Sequence, residues 1–470
     1  MSARSVLRVC LGVAGAAAAL AAPVAAWRRV RAGERGGVLV ATRIHLPEAA
    51  AASFRLDGVE RALAARRVPV RVLTTRPPAG AEHTDGDARG VRVSRWPALR
   101  DSSGYLRGYV PYLSFDLPLA LRLLLAPRPG VVLVEPPPTT GAVVRAVTAL
   151  RGVPYVWYAP DVWSTAALST GAPGPVVRAV RALEAFAVRG AARVIAVNDE
   201  VARAVSGLAR GDSARPDAGP RPAQPRGWGV RVVPNGVDTT VFDVSGPRPD
   251  PRERSGLGLT GPYFVYAGTA SEWQGAEVFV RALEQVRRTR PDVQLLFLGQ
   301  GSAWHEIERA ASHLPAGSDG APAVVMHAPV PATEAARWQR AAVAALVSIR
   351  PGQGYDFAYP TKVLSALGCG TPVLYAGRGP VVADVRDFDL GWVAEHEPAA
   401  VARAMHSALD APGATRPAER AAIAQRLHDW VENHRSLRAT GESVGRILHE
   451  VAAGAARAGG SRSTRGGRRW

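Results

Sequence analysis

The sequence has almost no cysteine and almost no lysine. Its two cysteines, Cys10 and Cys369, cannot build a disulfide framework, and no Cys/His cluster has metal-ligand spacing. That favours a reducing compartment and disfavours structural zinc. Of the 58 basic residues only one, Lys362, is lysine. Either this is a compositional accident, or the position needs a compact ammonium that a planar guanidinium cannot replace. A recognition motif for nucleic acid is also missing. The net charge of +18 invites that reading, but the arginines are spread along amphipathic helices with no aromatic-basic platform. Phosphorylated small substrates and anionic lipid headgroups account for the charge as well. No G-x-x-x-x-G-K-[ST] and no properly placed G-x-G-x-x-G occurs, which counts against P-loop and dinucleotide-binding proteins.

Long apolar runs are scarce too. The one candidate, residues 9–26, is an uncharged stretch of 18 residues between Arg4 and Arg8 on one side and Arg28, Arg29 and Arg31 on the other. It sits at the lower edge of a membrane span, weakened by alanine, Gly12, Gly15 and Pro23. A cleavable signal, a signal anchor, a membrane-surface helix and an inert extension all fit.

What is present, from Gly37 on, is alternation of strand and helix. Short apolar runs such as VPVRVLTT (68–75), PGVVLVEPPP (129–138), VPYVWYAPDVW (153–163), YFVYAG (263–268) and AALVSI (344–349) alternate with amphipathic segments such as residues 50–67, 140–151, 175–190 and 276–289. VLVATRIHL (38–46) reads as the first strand. Such alternation implies βαβ units and parallel sheets. With 470 residues, two doubly wound domains of similar size are expected. The expected division is an N-terminal segment (1–36), a first domain (37–240) with a flexible insertion at 210–229, a second domain (241–420), C-terminal helices (421–453) and a basic, disordered tail (454–470).

Ligands of open parallel sheets bind beyond the carboxyl ends of the strands. Candidate residues there are Gly268 and Thr269 after one strand, Gly299 and Gly301 after the next, and Arg350 after a third. The stretch SIRPGQGYDFAYPTKVLSALGCGTPVLYAG (348–377) places Lys362 in the first turn of a helix that Pro360 opens and Gly370 closes. A cation at the positive end of a helix dipole is mildly unfavourable unless an anion shares the site. A helix N-terminus with its free N–H groups and one lysine together form a phosphate receptor; an exposed lysine reaching into solvent also fits.

The series VVPNGVDTTVF, YFVYAGTASEWQGAEVFVRAL, LLFLGQGS and YPTKVLSALGCGTPVLYAG resembles the GT4 family of glycosyltransferases (group 1 type), which have the GT-B fold. In the first half, IHLPEAAAASFRLDGVERALAARRVPVRVLTT and VEPPPTTG…VPYVWYAPDVW are similar to that family's opening strand and helix and its acceptor-side segment. The resemblance covers roughly residues 37–450. It implies an α/β protein of two doubly wound Rossmann-like domains facing across a cleft, the donor on the second and the acceptor on the first. The implied reaction is transfer of a hexose-type sugar, with retention, from a nucleotide-diphosphate sugar to a glycan, lipid-linked or natural-product acceptor. No bound metal or other cofactor is implied. Lys362 and Arg350 would then meet the leaving diphosphate, Thr361 and the glycine turns the nucleotide, and Ser365 the ribose. His45 and Asp161, at strand ends of the first half, would face the sugar or acceptor. Their plainer readings are a loop residue and a helix cap. A place at the cytoplasmic, inner face of the cell membrane, touching its anionic surface, is part of the same expectation, with no nucleic-acid partner.

This chain departs from the family pattern in the N-terminal glycine loop, replaced by Ala49 to Ala52, and at four single positions. Phe357 and Ser365 stand where two glutamates eight positions apart are usual, and Thr269 and Gln274 stand where an arginine and a lysine are usual. Those neutral positions favour a second reading, a degenerate GT-B protein that binds a nucleotide sugar or partner without turnover. Another GT-B activity, such as a nucleotide-sugar epimerase, is the alternative among enzymes.

Overall fold

The computed structural model describes residues 36–464 apart from 49, 79–89, 102–105, 107, 170–171, 212–228 and 318–319. The apolar run at 9–26 and nearly all of the expected insertion at 210–229 therefore lie outside the described residues. The chain divides into two compact units. The first comprises Met1–Pro234 with Thr440–Trp470, and the second Asn235–Ala439.

In the first unit the order is β1 (Val38–Ala41), α1 (Ala51–Ala65), β2 (Val70–Thr75), β3 (Val91–Trp96), α2 (Tyr109–Leu125), β4 (Val131–Val134), α3 (Pro138–Arg151), β5 (Tyr155–Ala159), α4 (Trp163–Ser169), α5 (Gly174–Gly190), β6 (Arg193–Ala196), α6 (Asp199–Arg210) and β7 (Val230–Val232). The strands form one parallel sheet in the order β3-β2-β1-β4-β5-β6-β7. β1 is shorter than its sequence suggests. After Ala41 the Thr42 N–H still bonds Leu73, but the Thr42 hydroxyl turns to the Ile44 carbonyl and the chain leaves the sheet. His45 is thus on a loop beyond the strand.

The second unit runs α7 (Pro251–Gly256), β8 (Tyr263–Ala267), a 3-10 turn (Glu272–Gln274), α8 (Glu277–Val286), β9 (Gln294–Leu298), α9 (Trp304–Ser312), β10 (Val324–His327), α10 (Ala332–Ala341), β11 (Ala345–Ser348), α11 (Thr361–Gly368), β12 (Val373–Ala376), α12 (Pro380–Asp387), β13 (Gly391–Ala394), α13 (Pro398–Asp410), α14 (Pro412–Thr415) and α15 (Pro417–His434). Its sheet is parallel, in the order β10-β9-β8-β11-β12-β13. Both of its faces are apolar, as a buried parallel sheet requires. Phe264, Tyr266, Leu295 and Phe297 point into one core, and Tyr263, Val265, Leu296 and Leu298 into the other.

Each sheet reverses its strand order at one place, between β1 and β4 and between β8 and β11. Such switch points open a crevice at the carboxyl edge, where ligands bind.

Three segments differ from the pattern in the sequence. Residues 417–453 read as one helical region, yet α15 ends at His434 and α16 (Leu437–Thr464) begins after a break at Arg435–Ser436. There Val237 bonds both neighbours, its N–H to the Arg435 carbonyl and its carbonyl to the Leu437 N–H. From Thr440 onward α16 belongs to the first unit, where Val444, Ile447 and Leu448 join the core of β1, β2 and α1. The helix continues to Thr464, into the part of the tail that reads as disordered. Finally, α2 is not announced by the sequence at all. Pro111 and Pro118 argue against a helix there, and Pro118 lies inside it.

Candidate active site

In the second unit the switch point gathers three loops. Gly268 (φ +118°) ends β8, and the chain after β9 runs through Gly299 and Gly301. The first two loops are laced together: Gly268 donates to the Leu298 carbonyl and Ala270 to that of Gln300, both at 2.8 Å. A Cβ on Gly299 would stand 2.1 Å from the Gly268 carbonyl oxygen, and one on Gly301 2.0 Å from that of Ala270. Glycine at both positions is what lets the loops touch.

The third loop leads into α11. Pro360 is its N-cap, one position earlier than the sequence suggests, Thr361 is the first helical residue, and the first turn has no acid and no side-chain cap. Its orphan N–H groups and dipole therefore favour an anion. Lys362 reaches back across Gly268. Its Nζ donates to the Tyr266 hydroxyl at 2.6 Å and to the Thr269 carbonyl at 2.8 Å, and it lies 3.9 Å from the Tyr266 ring centroid. An ammonium has three protons, so two partners leave one to give. Burial with no compensating carboxylate pulls the Lys362 pKa down to about 7.

Arg350 is differently placed. Its guanidinium is paired with the buried Glu277 carboxylate of α8, and its N–H bonds the Trp273 carbonyl at 2.9 Å. The two cations are not equivalent: one is neutralised by the protein and the other is not. Beside Lys362 a pocket of about 240 Å³ is lined by Gly268, Thr269, Gly299, Gln300, Gln339 and Ser365, with others. Ser365 Oγ donates to the Lys362 carbonyl at 3.1 Å and receives a 3.4 Å contact from Gln339 Nε2. Gln339 is 2% exposed and its Oε1 has no partner among the described residues. The pocket floor is neutral. Because Ser365 makes two long hydrogen bonds, one of them from the buried Gln339 amide, Ser365→Ala is expected to lower stability by about 1–2 kcal/mol. Nucleotide affinity in a titration should then shift by less than about fivefold.

The neutral Gln274 is also explained. Its Oε1 lies 3.0 Å from the Tyr266 hydroxyl and accepts from the Ser271 N–H at 2.9 Å. A lysine there would meet Tyr266, already occupied by Lys362.

In the first unit the carboxyl edge between β1 and β4 is crowded with buried polar groups. Arg55 of α1 donates from Nε to Glu135 at 3.0 Å, with its guanidinium 4.9 Å from the Tyr158 ring centroid. Both side chains are about 5% exposed. Breaking such a pair leaves one buried charge uncompensated, so Arg55→Met should cost about 3–5 kcal/mol, read from the midpoint of urea unfolding. Asp161 follows β5. Burial, with the charge of Glu184, raises its pKa to about 6 against the pull of Arg55. Among the described residues its Oδ1 is buried without a partner, as is the Tyr158 hydroxyl. The cap of α4 is Glu184, which accepts the N–H groups of Trp163 and Ser164 at 2.8 and 3.0 Å.

His45 is 7% exposed, with Nδ1 2.9 Å from the Leu46 carbonyl and Nε2 3.0 Å from Glu60. Burial alone would lower its pKa, but the hydrogen bond and charge of Glu60 outweigh burial and raise it. Both ring nitrogens are committed to the protein. Arg43, over the Tyr112 ring at 4.3 Å, and Asp116, bonded by Thr140 at 2.6 Å, complete this edge.

A larger cavity, of about 1090 Å³, opens at the amino ends of β1–β3 near Gly37, Arg71 and Arg92. It is at the end of the sheet opposite the switch point.

The structure thus brings Gly268, Thr269, Gly299 and Ser365 around one pocket, with Gly301 bracing its loops and Lys362 reaching over Gly268 to the Thr269 carbonyl. Thr361 opens the same helix as Lys362, and Arg350 is held at Glu277 and Trp273, outside the pocket lining. His45 and Asp161 belong to the first unit. Sequence reading misses Tyr266, Gln339, Glu277, Arg55, Glu135 and Glu184. Of these only Glu135, directly after a fully apolar strand, carries a positional signal.

Two doubly wound domains with a lysine-headed helix at the second switch point define a GT-B protein. The Glycosyl transferase 4-like domain matches residues 51–218 and the Glycosyl transferases group 1 domain residues 261–411, and the chain belongs to this GT4-type family. A D-inositol 3-phosphate glycosyltransferase of Arthrobacter sp. (strain FB24) is 32% identical over 188 residues, 39% of this chain and 42% of that protein. The alignments to such curated relatives span under half of their length. In fold, sucrose-phosphate synthase of Thermosynechococcus elongatus is similar at a TM-score of 0.64 and 15% identity, over 89% of this chain and 100% of that one. Anabaena HepE, solved with UDP-glucose, is similar at 0.58 and 15% identity, over 88% and 100%.

Proposed function

We propose that the protein transfers a sugar, with retention, from a nucleotide-diphosphate sugar held by the second unit to an acceptor bound by the first. The observation that carries this reading is Lys362, a half-buried ammonium with no carboxylate partner among the described residues, at an uncapped helix N-terminus beside the pocket. An anion completes that site electrostatically, and a developing diphosphate gains most from it because the donors are already in place. Thr361 and the α11 N–H groups join Lys362 on the phosphates. The glycine turns hold the nucleotide, with Ser365 and Gln339 facing the ribose, and Arg350 acts on the diphosphate while tied to Glu277. Asp161, with an unpartnered oxygen, accepts the acceptor hydroxyl, while His45, committed to Glu60 and Leu46, fixes the loop beside it.

Acceptors with sugar phosphate, glycan, lipid-linked or natural-product character belong to this proposal. The name of the inositol phosphate relative supports the first of these. Placement at the cytoplasmic face of the membrane belongs to it too. None of the described helices is long and apolar enough to cross a membrane. A second reading, donor binding without turnover, is favoured by the neutral Thr269, Gln274, Phe357 and Ser365. The test is release of nucleoside diphosphate from a panel of nucleotide sugars, with and without inositol phosphate or hexose phosphate. Acceptor-dependent release supports transfer. Binding of every donor without release supports the second reading.

A further inference from the structure

Helix α2 is built inside out. Its only two charged residues, Asp116 and Arg122, are 1% and 6% exposed, while Val110, Leu117, Leu121 and Leu125 are 57%, 57%, 50% and 53% exposed. At 100° per residue those four fall on one narrow arc. A helix on the outside of an α/β unit ordinarily does the reverse, burying its apolar stripe and showing its charges. Asp116 is turned in by Thr140, and Arg122 by the carbonyls of Thr74 and Ser94.

Two neighbours extend the stripe. Leu99, 57% exposed, donates its N–H to Ser114 Oγ, on the same arc of α2, at 2.9 Å. Trp96, 42% exposed, lies over the Arg122 guanidinium at 5.0 Å. Six half-exposed side chains offer on the order of 500 Å², as large as the apolar patches that mark interaction sites on monomers.

We infer that this face of the first unit seats on an anionic lipid surface. The patch is a convex ridge along a single helix, with a tryptophan at its margin. It is smaller than the ~800 Å² a side that a stable protein interface uses, but it suits a helix lying in the headgroup layer. The charge around it has the right sign. Exposed Arg76 donates its N–H to the Trp96 carbonyl, and exposed Arg92 shares one face of β3 with Ser94 and Trp96. Exposed Arg128 follows the end of α2, and the helix shows no carboxylate to solvent. Each arginine near an anionic surface strengthens binding about fivefold. The inference stands apart from catalysis, since seating needs no turnover.

The test is flotation of the full chain with phosphatidylcholine vesicles, with or without phosphatidylglycerol. Binding is expected only to the phosphatidylglycerol vesicles, weakening as salt is raised. The double variant Leu117→Gln/Leu121→Gln changes only exposed side chains and should bind at least tenfold more weakly, with an unchanged thermal midpoint. Arg76→Glu/Arg92→Glu, which leaves the apolar stripe intact, should also weaken binding and flatten the salt dependence. Removal of residues 1–35 should leave α2-dependent binding in place. Wild-type binding by both double variants would overturn the proposal. So would loss of binding on removal of residues 1–35 alone, which assigns the contact to that segment. A dimer in solution that the leucine variant converts to monomer, without vesicle binding by the wild type, would assign the face to a second copy.

Discussion

Lys362→Met should lower nucleoside diphosphate affinity by at least a hundredfold while leaving the fold intact. A charge-assisted contact from a half-buried ammonium to a diphosphate is worth about 3 kcal/mol or more. The fold should survive because Lys362 has no carboxylate to abandon, and its removal leaves only the Tyr266 hydroxyl and Thr269 carbonyl to be hydrated. Lys362→Arg is the sharper variant. The site is shaped for a point charge that slides past Gly268, whose Cβ position is 3.6 Å from the lysine Cε. A planar guanidinium cannot meet Tyr266 and Thr269 and still present a proton to the ligand, so at least a tenfold loss is expected. Full affinity in Lys362→Arg would mean that charge alone matters. Arg350→Lys should matter far less, since Glu277 holds either cation.

The same lysine sets a pH dependence. Its free-site pKa of about 7 is below the ordinary lysine value, and a bound diphosphate raises it again. Below pH 7 the free site is already charged, and binding takes up little proton. Above pH 7 binding must first charge the lysine, so affinity falls by up to tenfold per unit of pH. The phosphate itself, with a second pKa near ~6, is ionised throughout that range. Calorimetry in two buffers of unlike ionisation enthalpy reads this directly: close to one proton is taken up well above pH 7, and little below it.

The second large effect concerns turnover. Asp161→Asn should reduce kcat by a factor of about 10²–10⁴, the range for a positioned proton acceptor, with donor affinity unchanged. A raised carboxyl pKa means that Asp161 is protonated, and unable to accept, below about 6. The plot of kcat/KM against pH should therefore be a narrow bell, rising through about 6 with Asp161 and falling above about 7 with Lys362. Asp161→Asn should lose the acid limb alone. A profile flat from pH 5 to 8 in the wild type would remove Asp161 and Lys362 from these two roles.

The fold was legible because alternation and turn chemistry are local properties. Glycine after a buried strand, and proline and lysine at a helix start, placed the second switch point and its pocket. The residues that tune the site were not legible, because each acts across the chain. Tyr266 reads as an ordinary strand aromatic, yet its hydroxyl receives Lys362, 96 residues away. Arg55 reads as a surface arginine of an amphipathic helix, yet it is buried against Glu135, 80 residues away. Glu184, inside α5, takes the capping role for which Asp161 was a candidate. For α2 the local rules pointed the wrong way: its prolines suggest a break, and its apolar side chains mark the outside.

The neutral positions have structural roles of their own. Gln274 and Ser365 are not gaps in the site, since one holds the Tyr266 hydroxyl that Lys362 uses and the other lines the pocket beneath it. In the proposed donor site one lysine carries the charge that meets the diphosphate. Isothermal titration of the wild type and Lys362→Met with UDP, GDP and ADP tests this most directly. At least one nucleoside diphosphate should bind the wild type with micromolar affinity and the variant a hundredfold more weakly. Equal binding by the two proteins would contradict the account.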